Sequence, residues 1–181
     1  MSDPFRPALL LSMPQLQDPN FARTVVLLCE YNPEGAFGLV INRPTDAPAT
    51  SMVNLDPPVI DGNDMPLWIG GPVEPQRGWI LAGDEPPSDF KTIRDGLYLS
   101  TSPALLRSVL QTRPAPRARV IAGYAGWGPR QLDDELSQSA WLMGDVDLDV
   151  VFDVPPSLMW ETAIRRLGAD PSALTTSRGV H

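Results

Sequence analysis

The stretch Val120-Ile121-Ala122-Gly123-Tyr124-Ala125-Gly126-Trp127-Gly128-Pro129 decides how the chain is read. It opens on an apolar run of strand character and passes through three glycines and two aromatic residues. It leads into Gln131–Ser137, where Leu132 and Leu136 share one helix face. Glycine adopts torsions that other residues avoid and lets a second group come close. A proline directly after Gly128 suits the first turn of a helix. The expectation is a strand, a tight glycine turn over 123–128 and a helix over Pro129–Ser139, meeting where a ligand or partner can be held. The named phosphate motifs are excluded. The order G-x-x-G-x-G reverses the dinucleotide fingerprint, and no lysine completes a P-loop. A generic anion site beside Arg130 and a structural corner with Tyr124 and Trp127 packed as a wedge both stay open.

Upstream, Ala8–Leu11 reads as a strand. Thr24–Cys29, β-branched and continuously apolar, reads as a strand buried on both faces. The turn Asn32-Pro33-Glu34-Gly35 joins it to a second strand over Ala36–Asn42, a hairpin. Thr45–Pro66 is polar and proline-rich and reads as a long connection with one helical turn near Ser51–Leu55. Short strands are expected at Leu67–Ile69, Gly78–Leu81, Leu97–Ser100 and Arg117–Ala122, with a loop at Asp84–Asp89. Ser102 and Pro103 begin a helix with Leu106, Val109 and Leu110 at core spacing. Ser157 is expected to cap the last helix, with Trp160, Ala163, Ile164 and Leu167 inward. Strands and helices do not alternate regularly, which indicates a mixed α+β fold. The 181 residues suit one domain, or at most two small sub-domains sharing one core. We expect a single domain over 1–181 with mobile ends at 1–7 and 172–181.

Composition narrows the chemistry. Fourteen Lys and Arg face 22 Asp and Glu, for a net charge of −8, which argues against direct nucleic-acid binding. The arginines at 113, 117, 119, 165 and 166 read as solvated charges. One cysteine, Cys29, rules out an intramolecular disulfide and fits a reducing cytoplasm. No apolar run approaches the roughly 20 residues of a membrane span, and no membrane partner is expected. The single histidine is His181, so Ser-His-Asp, Cys-His and His-based zinc chemistry lack a base or ligand. Cys29, without a partner base, reads as a buried, inert thiol. Asp145, Asp147, Asp149 and Asp153 fail the calcium-loop pattern, because Val150 and Pro156 stand where glycine and glutamate are needed. They read as the solvated face of a strand or loop. Asp133-Asp134-Glu135 suits the helix macrodipole. No catalytic residue, metal site or cofactor is assigned.

Several motifs, in order, carry a resemblance. They are Pro19–Glu30 (PNFARTVVLLCE), Gly38–Pro44 (GLVINRP), Gly70-Gly71-Pro72-Val73 with Arg77-Gly78, Gly123–Gly128 with Gln131-Leu132 and Glu135-Leu136, and Ala140-Trp141-Leu142. Together they resemble the AlgH/YqgE family of bacterial proteins from about Ala8 to Leu174. The resemblance implies a single α+β domain with a bifurcated mixed β-sheet and a small barrel-like part, flanked by helices. Family members are often labelled transcriptional regulators. This chain departs from the family pattern at Ala82-Gly83, where relatives often carry a histidine, and at Ser139, where they usually carry asparagine. The expected function is a cytoplasmic, non-catalytic binding or regulatory protein. Its surface would comprise Asn20, Phe21, Arg23, Asn42, Arg43, Gly70, Gly71, Arg77, Gly123, Tyr124, Gly126, Trp127 and Gly128, and would take a small anion or a protein partner. The alternatives are a regulator that binds DNA directly and a thiol-dependent enzyme acting through Cys29.

Overall fold

β9 runs without a break from Ala118 to Trp127, straight through the glycine-rich stretch. The expected tight turn at 123–128 is therefore corrected: most of it is strand. The computed structural model describes residues 6–13, 22–52 and 64–173. Its backbone shows why glycines sit inside a strand. Gly123 has φ +79°, and a Cβ there would strike the Gly71 carbonyl oxygen. A Cβ on Gly70 would in turn strike the Gly123 carbonyl oxygen. Two backbones cross with no room for side chains, which is a known reason for glycine in strands. Pro129 also stays outside the next helix, which begins only at Gln131 after Arg130 in a left-handed conformation, φ +65°.

The chain divides into two compact units, one formed by Met1–Asn42 and Ala125–His181, the other by Arg43–Tyr124. In the first, β1 (Ala8–Ser12), β2 (Val25–Asn32), β3 (Gly35–Val40), the end of β9 and β10 (Trp141–Gly144) lie in the order β10-β1-β2-β3-β9. Every pair is antiparallel. Helices α2 (Gln131–Ser137), α3 (Leu148–Phe152) and α4 (Pro156–Arg166) accompany them. The unbroken apolar runs of β1 and β2 follow from this cover. Leu10 and its cross-strand neighbour Val26 pack with Trp127, Leu132 and Trp141. Leu9 and Leu11, on the opposite face, line one cleft with Val150 of α3 and Ala163 of α4. A strand covered on both sides has no polar alternation. Each leucine so buried contributes about 1.5–3 kcal/mol.

The second unit holds β4 (Pro44–Pro48), a 3-10 turn (Ala49–Met52), β5 (Pro66–Ile69), β6 (Val73–Ala82), β7 (Lys91–Arg94), β8 (Leu97–Ser100), α1 (Pro103–Gln111) and the start of β9. The strand order is β4-β5-β9-β6-β8-β7, with β5 and β9 parallel. Helix α1 places Val109 and Leu110 in a core with Leu67, Ile80 and Val120. Its cap is the expected one, with the Ser102 hydroxyl accepting from the Leu105 N–H at 3.2 Å. β9 thus has different neighbours along its length, and the α+β class with a branched, mixed sheet holds. No helix among the described residues is long and apolar enough to cross a membrane.

Other expectations are corrected. The 45–66 connection starts with a strand, not a loop. Thr45 secures it by donating from its hydroxyl to the Leu67 carbonyl at 2.7 Å and accepting from the Ala47 N–H at 3.1 Å. Of the helical turn expected over 51–55, positions 51–52 lie in the 3-10 turn and 53–55 fall outside the described residues, as do 1–5 and 174–181 of the expected mobile ends. β7 went unread because only Ile93 of its four residues is buried. The aspartate-rich segment is a loop over 145–147, one of the two forms expected, and only then turns helical, with Val150, Val151 and Phe152 of Leu148–Phe152 buried. At α4, Pro155 occupies the N-cap and makes no side-chain capping bond, and Ser157 lies inside the helix.

Gly123→Ala should lower stability to urea by about 2–4 kcal/mol, from strain and collision together. Ser139 follows α2 in a left-handed conformation, φ +59°, and is exposed. Asparagine tolerates that region better, so Ser139→Asn should raise stability by about 0.5 kcal/mol in the same urea titrations.

Candidate functional site

Between Val73 and Gly78, β6 takes five steps while its partner β9 takes only two, from Tyr124 to Ala122. The surplus is forced outward. Glu74, with φ +45°, begins an exposed bulge that ends at Arg77. Bulges of this kind commonly re-aim side chains beside functional sites. Here they carry charge above an aromatic floor. The Tyr124 hydroxyl donates to the Glu74 carboxylate, and that bond, with burial and the same negative charge, pushes the phenol's pKa up. Arg77 Nη1 lies 3.7 Å from Glu74 Oε2, with about half of each side chain in solvent. The guanidinium sits 4.8 Å from the Trp79 ring centroid, and Trp79 meets Tyr124 edge-on at 6.0 Å. A pair this open adds little stability. It leaves guanidinium donors facing water, where a carboxylate or phosphate can take two of them.

The sequence-predicted residues fall into three groups. Gly70, Gly71, Gly123, Tyr124 and Arg77 gather at the glycine crossing and the bulge. Arg43 belongs to the same unit, and its carbonyl accepts from the Ile69 N–H at 2.9 Å.

A second group, in the other unit, is Arg23 with Asn42. Asn42 donates to the Arg23 carbonyl and accepts from the Val25 N–H, both at 3.1 Å. Arg23 has φ +48° and holds its guanidinium 4.8 Å over Trp160. Asn20 and Phe21 lie outside the described residues.

The third group is Gly126, Trp127 and Gly128. Trp127 is only 7% exposed, so its ring belongs to the core. Its indole N–H donates to Glu135 Oε1 at 3.0 Å, and Trp141 donates to the same oxygen at 2.8 Å. Gln131 links the end of β9 to this carboxylate, accepting from the Gly128 N–H at 3.0 Å and donating to Glu135 Oε2 at 3.2 Å.

Sequence reasoning missed Glu135, read only as a dipole partner, although Gln131 and Glu135 stand at the i, i+4 spacing that brings helix side chains together. Glu74 and Trp79 had no signal beyond their nearness to Arg77. Arg166, read as a solvated charge, holds both Asp147 and Asp149. Its Nη1 and Nη2 each lie 2.7 Å from an Asp149 oxygen, and Nη1 also contacts Asp147. The Arg166 hydrogen bonds, then the Asp147 hydrogen bond, hold the Asp149 carboxyl well below the usual carboxylate range. Cys29 is fully buried, with Sγ 3.4 Å from the Leu27 carbonyl oxygen. Among the described residues no group of three or more His, Cys, Asp or Glu is placed to hold a metal ion.

The branched α+β fold is shared with solved proteins. It matches the solution structure of AlgH from Pseudomonas aeruginosa at TM-score 0.77 and 34% identity, covering 97% of this chain and 96% of that one. A crystal structure from Corynebacterium diphtheriae shares the fold at TM-score 0.70 and 22% identity, covering 96% and 91%. A UPF0301 protein of Myxococcus xanthus is 41% identical over 179 residues, 97% of each chain. Another, from Nitrosococcus oceani, is 38% identical over 97% of this chain and 96% of its own. The AlgH-like family model matches residues 9–172, and the chain belongs to that family.

Glu135→Ala removes the acceptor shared by two buried indoles and should cost about 2–4 kcal/mol in urea unfolding, with Glu135→Gln recovering part of it. Asp149 titrates lower in the folded chain than its ordinary value of 3.8. Its contribution is therefore present above that value and is lost as pH falls further. Acid titration followed by circular dichroism should show Asp149→Asn less sensitive than the parent chain below about pH 4.

Proposed function

We propose that this AlgH-like protein is a cytoplasmic, non-catalytic binding protein that takes the carboxylate or phosphate group of its ligand on Arg77. The observation that carries this reading is the half-exposed guanidinium held over Trp79, on a bulge anchored by the glycine crossing. Stacking on an aromatic ring preorients the fork and reduces the side-chain freedom lost on binding. The burial of Cys29 speaks against the thiol-enzyme alternative, since a reactive thiolate needs access. The lone thiol also suits a reducing compartment. Direct DNA binding has less support, because Glu74 stands beside Arg77 and the chain carries −8 overall.

Inorganic phosphate and a short oligoglutamate peptide serve as probes, each titrated while the Arg77 side-chain and Trp79 indole NMR signals are followed. The expected result is saturable shifts at both groups, weakened at least tenfold by Arg77→Gln with the melting temperature unchanged. Preference for phosphate assigns a free anion; preference for the peptide assigns an acidic segment of a protein. Silent signals with both probes, or full binding by Arg77→Gln, would overturn the reading.

A further inference from the structure

At the β6 bulge, Arg77 is not alone in facing solvent. Glu74 stands beside it, and about half of each side chain is exposed. Their closest approach, 3.7 Å between Glu74 Oε2 and Arg77 Nη1, exceeds hydrogen-bond range, so neither group satisfies the other. Glu74 is instead held by the Tyr124 hydroxyl, and Arg77 by the Trp79 ring. Each charged head is steered by an aromatic partner and leaves its outer side to water. Glu74 keeps this place at φ +45°, a left-handed conformation unfavourable for glutamate. Backbone strain of this kind concentrates at ligand clamps. Together the two groups carry no net charge. A simple anion drawn to Arg77 is opposed by Glu74, and a simple cation drawn to Glu74 is opposed by Arg77. A ligand with both charges set side by side meets each group with the right sign.

We infer that Glu74 and Arg77 together form a site for a free α-amino acid, its carboxylate on Arg77 and its ammonium on Glu74. The inference rests on the anion-binding reading of Arg77 and narrows it, because Glu74 becomes the residue that selects among anions. Spacing supports the choice. In an α-amino acid one carbon joins the two charged groups, and the nitrogen lies about 2.5 Å from the carboxylate carbon. Charges set that closely suit two protein groups that approach each other to 3.7 Å. In a polypeptide the α-ammonium and the α-carboxylate stand at opposite ends of the chain, so the compound that fits is the free amino acid. The Arg77 guanidinium offers the carboxylate two parallel donors. The Glu74 carboxylate accepts one bond from Tyr124 and retains acceptor sites for the ammonium.

The probes are L-alanine, acetate, methylammonium and 6-aminohexanoate: both charges on one carbon, either charge alone, and both charges far apart. Each is titrated into the full chain at low ionic strength, where exposed charges are least screened, while the Arg77 side-chain and Trp79 indole NMR signals are followed. The expected result is saturable shifts with alanine, and binding weaker by about fivefold with acetate, methylammonium and 6-aminohexanoate, the scale of one exposed charge contact. Glu74→Gln keeps an acceptor for the Tyr124 hydroxyl and removes the charge. It should weaken alanine and tighten acetate while the melting temperature holds, opposite changes that a structural role alone would not produce. Acetate or 6-aminohexanoate bound as tightly as alanine, or alanine bound by Glu74→Gln as well as by the parent chain, would overturn the amino-acid assignment and leave Arg77 as a simple anion contact. Silent signals with all four probes would overturn both readings.

Discussion

The close crossing of two backbones at Gly70 and Gly123 is the constraint on which the second unit depends. At that point no side chain fits between β9 and the segment Gly70-Gly71. The hydrogen bond from the Gly70 N–H to the Ala122 carbonyl, at 2.8 Å, secures the approach. Because β5 ends there and β6 starts just beyond, both neighbours of β9 are set from one place. The bulge at Glu74–Arg77 follows from the same geometry, since β6 leaves the crossing out of step with β9. The surface charge of the candidate site is thus a product of backbone packing beneath it.

In the first unit a carboxylate has the organising role. Glu135 is reached by Trp127 from β9, Trp141 from β10 and Gln131 from its own helix. Indole rings bury large apolar areas but each carries one N–H that needs an acceptor. One side chain supplies it for two rings, which themselves meet edge-on at 5.9 Å. The presence of Trp127 in the glycine-rich stretch is explained by this arrangement.

What the sequence revealed tracks how local the physics is. The apolar runs of β1 and β2, the Asn32–Gly35 hairpin and the Ser102 cap rest on neighbouring residues, and they were legible. The strand character of Gly123–Trp127 was hidden because glycine in a turn and glycine at a backbone crossing look alike until the partner is known. The partner, Gly70-Gly71, is some fifty residues away in sequence and meets Gly123 only in the folded state. Leu148–Phe152 was misread for a related reason. Its alternating aspartates suit an exposed strand, yet Asp147 and Asp149 are drawn to one side by Arg166, from the far end of α4. Of the candidate site, the arginines and glycines could be named in advance. Their grouping depended on the β6 bulge, for which the residue types give no warning.

Cys29 lies near the middle of β2, the central strand of the first unit, with no solvent-accessible surface. A chemical probe can reach its sulfur only when that strand is unsheathed. The chain's single thiol is therefore an intrinsic clock: the pace of its modification in native buffer counts the openings of the first unit. Arg43–Tyr124 contains no cysteine, so excursions of the second unit are silent to the same reagent.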